Sequence, residues 1–176
     1  PGEFYEAQNS NRLLNADEFA AAIKESPKGD SINKHLMFKR DREATQFIGT
    51  DKPMHSVIVC ISASGKFFDP MIVYNGPEGT NNQLTHIGSF DRINSSNGWM
   101  DPDIFNIWLK HLNTNLDCIQ VKRPVLLLLN SYASHVSIAS YELAKQSGIL
   151  LFYLPPHSSH ALQPLDVGLF GSLKIR

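Results

Sequence analysis

Cysteine is scarce. Cys60 and Cys118 are the only two among 176 residues, and no CxxC pair or His/Cys cluster accompanies either. That argues against a disulfide framework and against zinc, whose ligands recur at characteristic spacings. Both thiols read as reduced, as in an intracellular protein. A surplus of positive charge is also lacking: Lys and Arg number 16 against 17 Asp and Glu, a formal net charge of −1. Bulk charge therefore leaves no nucleic-acid footprint, although a local basic patch survives any net charge. No apolar run approaches the ~20 residues of a membrane helix, and no secretory leader is visible, so no membrane partner is expected. Repeats and low-complexity segments are missing as well. What remains is an ordinary folded composition, 42% hydrophobic and 19% charged, long enough for one domain with a real core. The chain opens on Pro1-Gly2-Glu3-Phe4 without an initiator Met. Residues 1–10 read as a tag remnant or poorly fixed lead, and residues 11–176 as the domain.

The stretch from Pro124 to Asp166 organises the rest. Val125 to Leu129 is an unbroken apolar run, as expected of a strand covered on both faces. Ser137 can cap a following helix, and Gly148 stands where that helix should stop. Ile149 to Leu154 is a second apolar run, closed by Pro155 and Pro156, and the segment from there to Asp166 reads as a stiff loop. Strand, helix and strand over about thirty residues make the βαβ unit of a parallel sheet. In open sheets of this kind the chemistry gathers at the carboxyl ends of the strands. Asn130 stands at the first such end, and His157, His160 and Asp166 follow the second.

These residues carry a family resemblance. The run Pro155-Pro156-His157-Ser158-Ser159-His160-Ala161-Leu162-Gln163-Pro164-Leu165-Asp166 resembles the closing signature of pogo-type transposases. These are the DDE-superfamily group with the Tigger, jerky and centromere-protein-B-like relatives. The resemblance runs from about Asn11 to Lys174. Asn15-Ala16-Asp17-Glu18 is similar to the family's first motif, although Phe19-Ala20-Ala21 replaces its usual Thr-Gly-Phe. It implies a catalytic triad at Asp17, Asn130 and Asp166, with the second acid missing because Asn130 holds its place. The close spacing of positions 130 and 166 also matches the family.

Upstream, Lys24 to Pro53 has no sustained period and is rich in charge. Lys28, Lys39, Arg40 and Arg42 there are candidate contacts to a DNA backbone, or simply a solvated loop. His55 to Ala63 and Lys66 to Tyr74 flank Ser64-Gly65, which predicts a hairpin. Residues 80–100 are polar and irregular, with room for a short edge strand. Asp101-Pro102-Asp103 is a helix start. The stripe of Ile104, Ile107, Trp108, Leu112 and Leu116, widened by Phe105 and Leu109, extends that helix to about Asn115. Its aromatics read as core. The last helix opens at Asp166, and Gly168 and Gly171 are small enough to let it approach the sheet. Element order and resemblance agree on an α/β, ribonuclease-H-like fold: a mixed five-stranded sheet flanked by helices.

In the family's chemistry three carboxylates gather two Mg²⁺ or Mn²⁺ ions for in-line attack at phosphorus. The resemblance implies Asp17 and Asp166 as metal ligands and Asn130 as a weak one, since an amide oxygen brings no charge. Glu18, His135, His157, His160 and Gln163 read as supporting or structural side chains around those ligands. Little or no strand cleavage is expected as the sequence stands. Asn130 reads as natural loss, in keeping with the unusual neighbours Ser131 and Tyr132; the alternative is a deliberate isosteric exchange. The resemblance also implies DNA as partner, through helix-turn-helix domains absent from this chain, a homodimer, and the nucleus as location. Two function classes stay open: a transposase-derived endonuclease impaired at Asn130, and a domesticated nuclear binding module without catalysis. The chain is expected to stop short of the family's natural end.

Overall fold

The computed structural model describes residues 7–22, 54–75, 84–87, 90–95 and 97–170. After a 3₁₀ turn at Ala7–Arg12, the elements are β1 (Leu13–Ala22), β2 (Met54–Ser62), β3 (Met71–Asn75), β4 (Thr85–Ile87) and β5 (Phe90–Ser95). Then come α1 (Pro102–Cys118), β6 (Val125–Leu129), α2 (Ile138–Gln146), β7 (Ile149–Tyr153) and α3 (Ser159–Leu162). A π turn at Leu165–Phe170 follows. The strands form one mixed sheet in the order β4-β5-β3-β2-β1-β6-β7. Pairing is antiparallel for β1/β2, β2/β3 and β4/β5, and parallel for β3/β5, β1/β6 and β6/β7.

The sheet thus has seven strands among the described residues, not the expected five. The additions are β4 and β5, from the stretch read as polar and irregular. The physical reason lies in β5, whose buried residues are Asp91, Ile93 and Ser95. Two of the three inward positions are polar, so hydrophobic alternation is lost. Asp91 pairs with His111 of α1 at 2.6 Å, and Ser95 Oγ donates to Asn97 Oδ1 at 2.9 Å. These partners offset the desolvation that would otherwise exclude both groups from the interior.

Elsewhere the local signals act as expected. Asp101 Oδ1 accepts from Ile104 N at 2.8 Å and starts α1. Its stripe of Ile104, Phe105, Trp108, Leu109, Leu112 and Leu116 is buried against the sheet. Ser137 Oγ accepts from Ser140 N at 3.0 Å and starts α2. Gly148 ends it at a φ of 65°, where any Cβ would press on Arg123 at 3.2 Å. The hairpin turns at Gly65, with a φ of 83°. Its second strand begins at Met71 rather than Lys66, and Phe67 makes only an isolated bridge to Ile61.

Three further expectations change. Ala7–Arg12 is an ordered turn rather than a loose lead. Arg12 is buried, and its Nε donates to Pro124 O at 2.9 Å. The segment before Asp166 is not a plain stiff loop, because α3 forms within it. Gly168 has open space where a Cβ would stand, so close packing does not account for it; Gly171 lies outside the described residues.

Side chains alternate across β1, as they must in a strand. Leu14 and Ala16 enter the core under α1, while Phe19 joins the cluster of Val57, Val59, Ile72, Leu165 and Phe170 on the other face. The odd-numbered Asn15 and Asp17 share that second face. Glu18 shares the α1 face.

Candidate active site

The site begins with strand register. β1 and β6 run parallel, with Leu13 against Leu126 and Asn15 against Leu128. Two steps further along the same register, Asp17 comes level with Asn130, just past the end of β6. Asn130 Nδ2 donates to Asp17 Oδ1 at 3.1 Å. Asn130 Oδ1 accepts from Tyr132 N at 3.3 Å. A backbone N–H can only donate, so the Tyr132 contact takes the amide oxygen and leaves the nitrogen for Asp17. Its oxygen points to the chain and its nitrogen to the acid.

Asp17 is not a solvated strand end. It lies inside a ten-residue strand and is 4% exposed. Burial, and secondly the charge of Asp166, push its carboxyl from 3.8 up to about 7. The backbone N–H of Glu18 and the charge of His135 act the other way and only partly compensate. The effect of Asp166 shows that two acids distant in sequence share one electrostatic neighbourhood.

Asp166 is brought there by two hydrogen bonds made by residues just before it in sequence. Gln163 Nε2 donates to Ala16 O at 2.9 Å, and Leu165 N donates to Asn15 Oδ1 at 2.9 Å. Asn15 Nδ2 in turn donates to Leu128 O at 3.2 Å. Gln163 thus ties the chain just before Asp166 to β1. Asn15 was not singled out from sequence, although an amide between Leu14 and Ala16 in a core strand is a legible signal. A buried polar side chain is retained only where it finds partners.

On the α1 face, Glu18 Oε1 meets His135 Nε2 at 2.6 Å. His135 is completely buried, its ring 4.7 Å from that of Phe105, and its carbonyl accepts from the Tyr153 hydroxyl at 2.9 Å. Ser131 Oγ donates to Leu154 O, closing the turn onto the end of β7. Glu18 and His135 thus hold the post-β6 turn against β1. His157 and His160 are exposed, His157 at a φ of 60°, and with Ser159 and Asp166 they border an open cavity of about 730 Å³. Lys28, Lys39, Arg40 and Arg42 lie outside the described residues.

No group of three His, Cys, Asp or Glu side chains able to hold a metal occurs among the described residues. The two mutually repelling carboxylates, Asp17 and Asp166, nevertheless have the hard oxygen chemistry that a divalent cation takes.

Residues 52–176 match the family model described as DDE superfamily endonuclease. A curated relative, named an MFS-type transporter, clz9, of Cochliobolus lunatus, is 34% identical over 128 residues. That alignment takes in 68% of this chain but only 13% of the relative. No helix among the described residues is long and apolar enough to cross a membrane. The fold resembles the Mos1 strand transfer complex with a TM-score of 0.59 at 15% identity, over 94% of this chain and 41% of that one. The catalytic domain of Mos1 mariner transposase gives 0.56 at 13% identity, over 97% of this chain and 62% of that one. A Mos1 mariner paired-end complex with Mn gives 0.56 at 16% identity, over 94% and 42%. At such identities the likeness speaks for the fold, which is the ribonuclease-H-like fold of transposase catalytic domains. With the matched model covering most of its length, the chain belongs to the DDE superfamily endonuclease family.

Proposed function

We propose that this domain binds DNA in the manner of a pogo-type transposase but is impaired in cutting it, because Asn130 stands where a third charge is needed. The observation that carries this is the amide's orientation. Its nitrogen caps Asp17 Oδ1 and its oxygen is taken by Tyr132 N–H. Asn130 therefore adds no negative charge and presents a donor to the ligand acid. A bound Mg²⁺ or Mn²⁺ would supply Lewis-acid stabilisation of charge at a phosphate. Asp17 and Asp166 would hold it, with Asn130 as a neutral third donor only after turning away from Tyr132. Gln163 and Asn15 position Asp166, while Glu18 and His135 brace the turn that carries Asn130. The pogo subtype is supported by the signature ending at Asp166. The proposed partners are DNA and a second copy of the chain, and the proposed location is the nucleus.

The test is calorimetric titration of Mn²⁺ into this chain and into Asn130→Asp, with cleavage of a labelled DNA duplex assayed in parallel. Asn130→Asp should gain metal affinity and raise cleavage by at least the factor of about 10²–10³ that one charge-stabilising group commonly supplies. Equal cleavage by both chains would refute the impairment. If neither chain takes metal or cuts while both bind duplex, the domain is the binding module that the sequence also allows.

A further inference from the structure

Beside the carboxylates lies a second, smaller cavity of about 280 Å³, bordered by Glu18, Phe19, Ser56, Trp99, Asn130 and Tyr132. It opens directly onto the turn that carries Asn130. Three of its lining residues are aromatic, Phe19, Trp99 and Tyr132, and two of them face solvent: Trp99 is 52% exposed and Tyr132 is 61% exposed. Set on two sides of one cavity, these exposed aromatics offer stacking faces to whatever enters it. Here neither ring hangs on slack backbone. Trp99 N donates to Asn97 Oδ1 at 2.9 Å, and the neighbouring Gly98 O accepts from Ser56 N of β2 at 3.0 Å. Tyr132 N donates to Asn130 Oδ1, and Tyr132 O accepts from His135 N at 3.0 Å. Rings on braced backbone lose little freedom when a ligand stacks on them.

Among the described residues the lining contains no Lys or Arg, so as described it suits a phosphate poorly. A flat, uncharged heterocycle suits two aromatic walls far better. The volume falls just below the ~300–1,000 Å³ of pockets that take drug-sized ligands, so one base fits and a base pair does not. A base still stacked in a duplex would have to leave the stack to enter, whereas an unpaired one would not.

We propose that this cavity receives an unpaired nucleobase of a DNA strand, stacked on Trp99 and Tyr132 beside Asn130. This rests on the reading of the chain as a DNA-handling domain and adds to it a preference for single-stranded ends over paired ones. Trp108, the other tryptophan, is buried in the core. Quenching of indole emission by added DNA therefore reports on Trp99.

The experiment titrates the full chain with a short fluorescein-labelled thymidine strand, the same strand made abasic, and a duplex, following anisotropy and tryptophan emission. The thymidine strand should quench Trp99 and bind at least about tenfold more tightly than the abasic strand. Trp99→Ala and Tyr132→Ala should each weaken the thymidine strand about tenfold while leaving duplex binding unchanged. Trp99→Phe, which keeps a stacking face, should bind close to the parent. Both side chains are largely exposed, and circular dichroism verifies folding of each variant. Equal binding of thymidine and abasic strands, or no loss in the alanine variants with duplex binding intact, overturns the pocket and leaves the wider reading standing. Absence of binding to every DNA overturns both.

Discussion

Asn130 Nδ2 donates to Asp17 Oδ1 across 3.1 Å, tying a residue just past β6 to the interior of β1. A hydrogen bond to a charged group contributes about 1.5–3 kcal/mol. Asn130→Asp exchanges it for two facing carboxylates. Without metal, at a pH well above the Asp17 value of about 7, that variant should be less stable than the parent by about 2 kcal/mol or more. Added Mn²⁺ should restore much of the loss, since a ligand held only by the folded form stabilises it. Thermal melts with and without Mn²⁺ check this; equal midpoints for the two metal-free proteins would sink it.

Asn15 joins three segments through one amide, donating to Leu128 O and accepting from Leu165 N. Asn15→Ala should cost about 1–3 kcal/mol in urea unfolding, the usual effect of orphaning buried partners. Asn15→Asp keeps the acceptor for Leu165 N but loses the donor to Leu128 O, so it should not rescue the loss. If it restores full stability, the bond to Leu128 contributes nothing.

Asp17 gives the fold a pH dependence whose sign follows from its raised pKa. The unfolded carboxyl titrates near 3.8 and the folded one near 7. The fold therefore favours the protonated acid. Its contribution is complete below the unfolded value and is lost as pH rises from about 4 to about 7. Asp17→Asn removes this dependence. Metal-free melts should show the variant gaining on the parent as pH climbs through that window. A gap between the two that stays constant with pH would count against the burial of a reluctant acid.

Glu18 and His135 form a separate brace on the α1 face. Glu18→Ala leaves the fully buried His135 without its 2.6 Å partner. The expected loss is about 1–3 kcal/mol. His135 packs on Phe105, which stacks on Trp108 at 5.4 Å. Emission of the buried tryptophan should therefore shift in Glu18→Ala and remain as in the parent in Glu18→Gln, which can still accept a hydrogen bond. An unshifted spectrum in both variants would show that the brace does not reach the core.

Much of this was legible because local signals and burial agreed. Asp101, Ser137 and Gly148 punctuate their helices as their chemistry dictates, and the apolar runs at Val125 and Ile149 became the paired parallel strands. β5 was hidden because Asp91 and Ser95 face inward with partners that sequence does not display. β1 extends past Asp17 because Phe19 has a second apolar cluster to join. That Asp17 would be buried, and Asn15 shared among three segments, depends on a strand register that no single stretch of sequence contains. Nothing in the sequence brings Trp99 and Tyr132 together; only the fold sets them around one cavity.

The parallel pairing of β1 with β6 also has a kinetic meaning. β1 meets β2 antiparallel, but its other edge must wait for residues more than a hundred positions downstream. Closing so long a loop costs only slightly more entropy than closing a moderate one, yet non-local parallel contacts slow a chain's search. Until that meeting occurs, Leu13 to Asn15 present an unpaired edge, and neither Asp17 nor Asn130 has its counterpart. The order of assembly therefore gives the nascent chain an early hairpin and a late junction of Asp17 with Asn130, with the exposed β1 edge as its point of greatest vulnerability to aggregation.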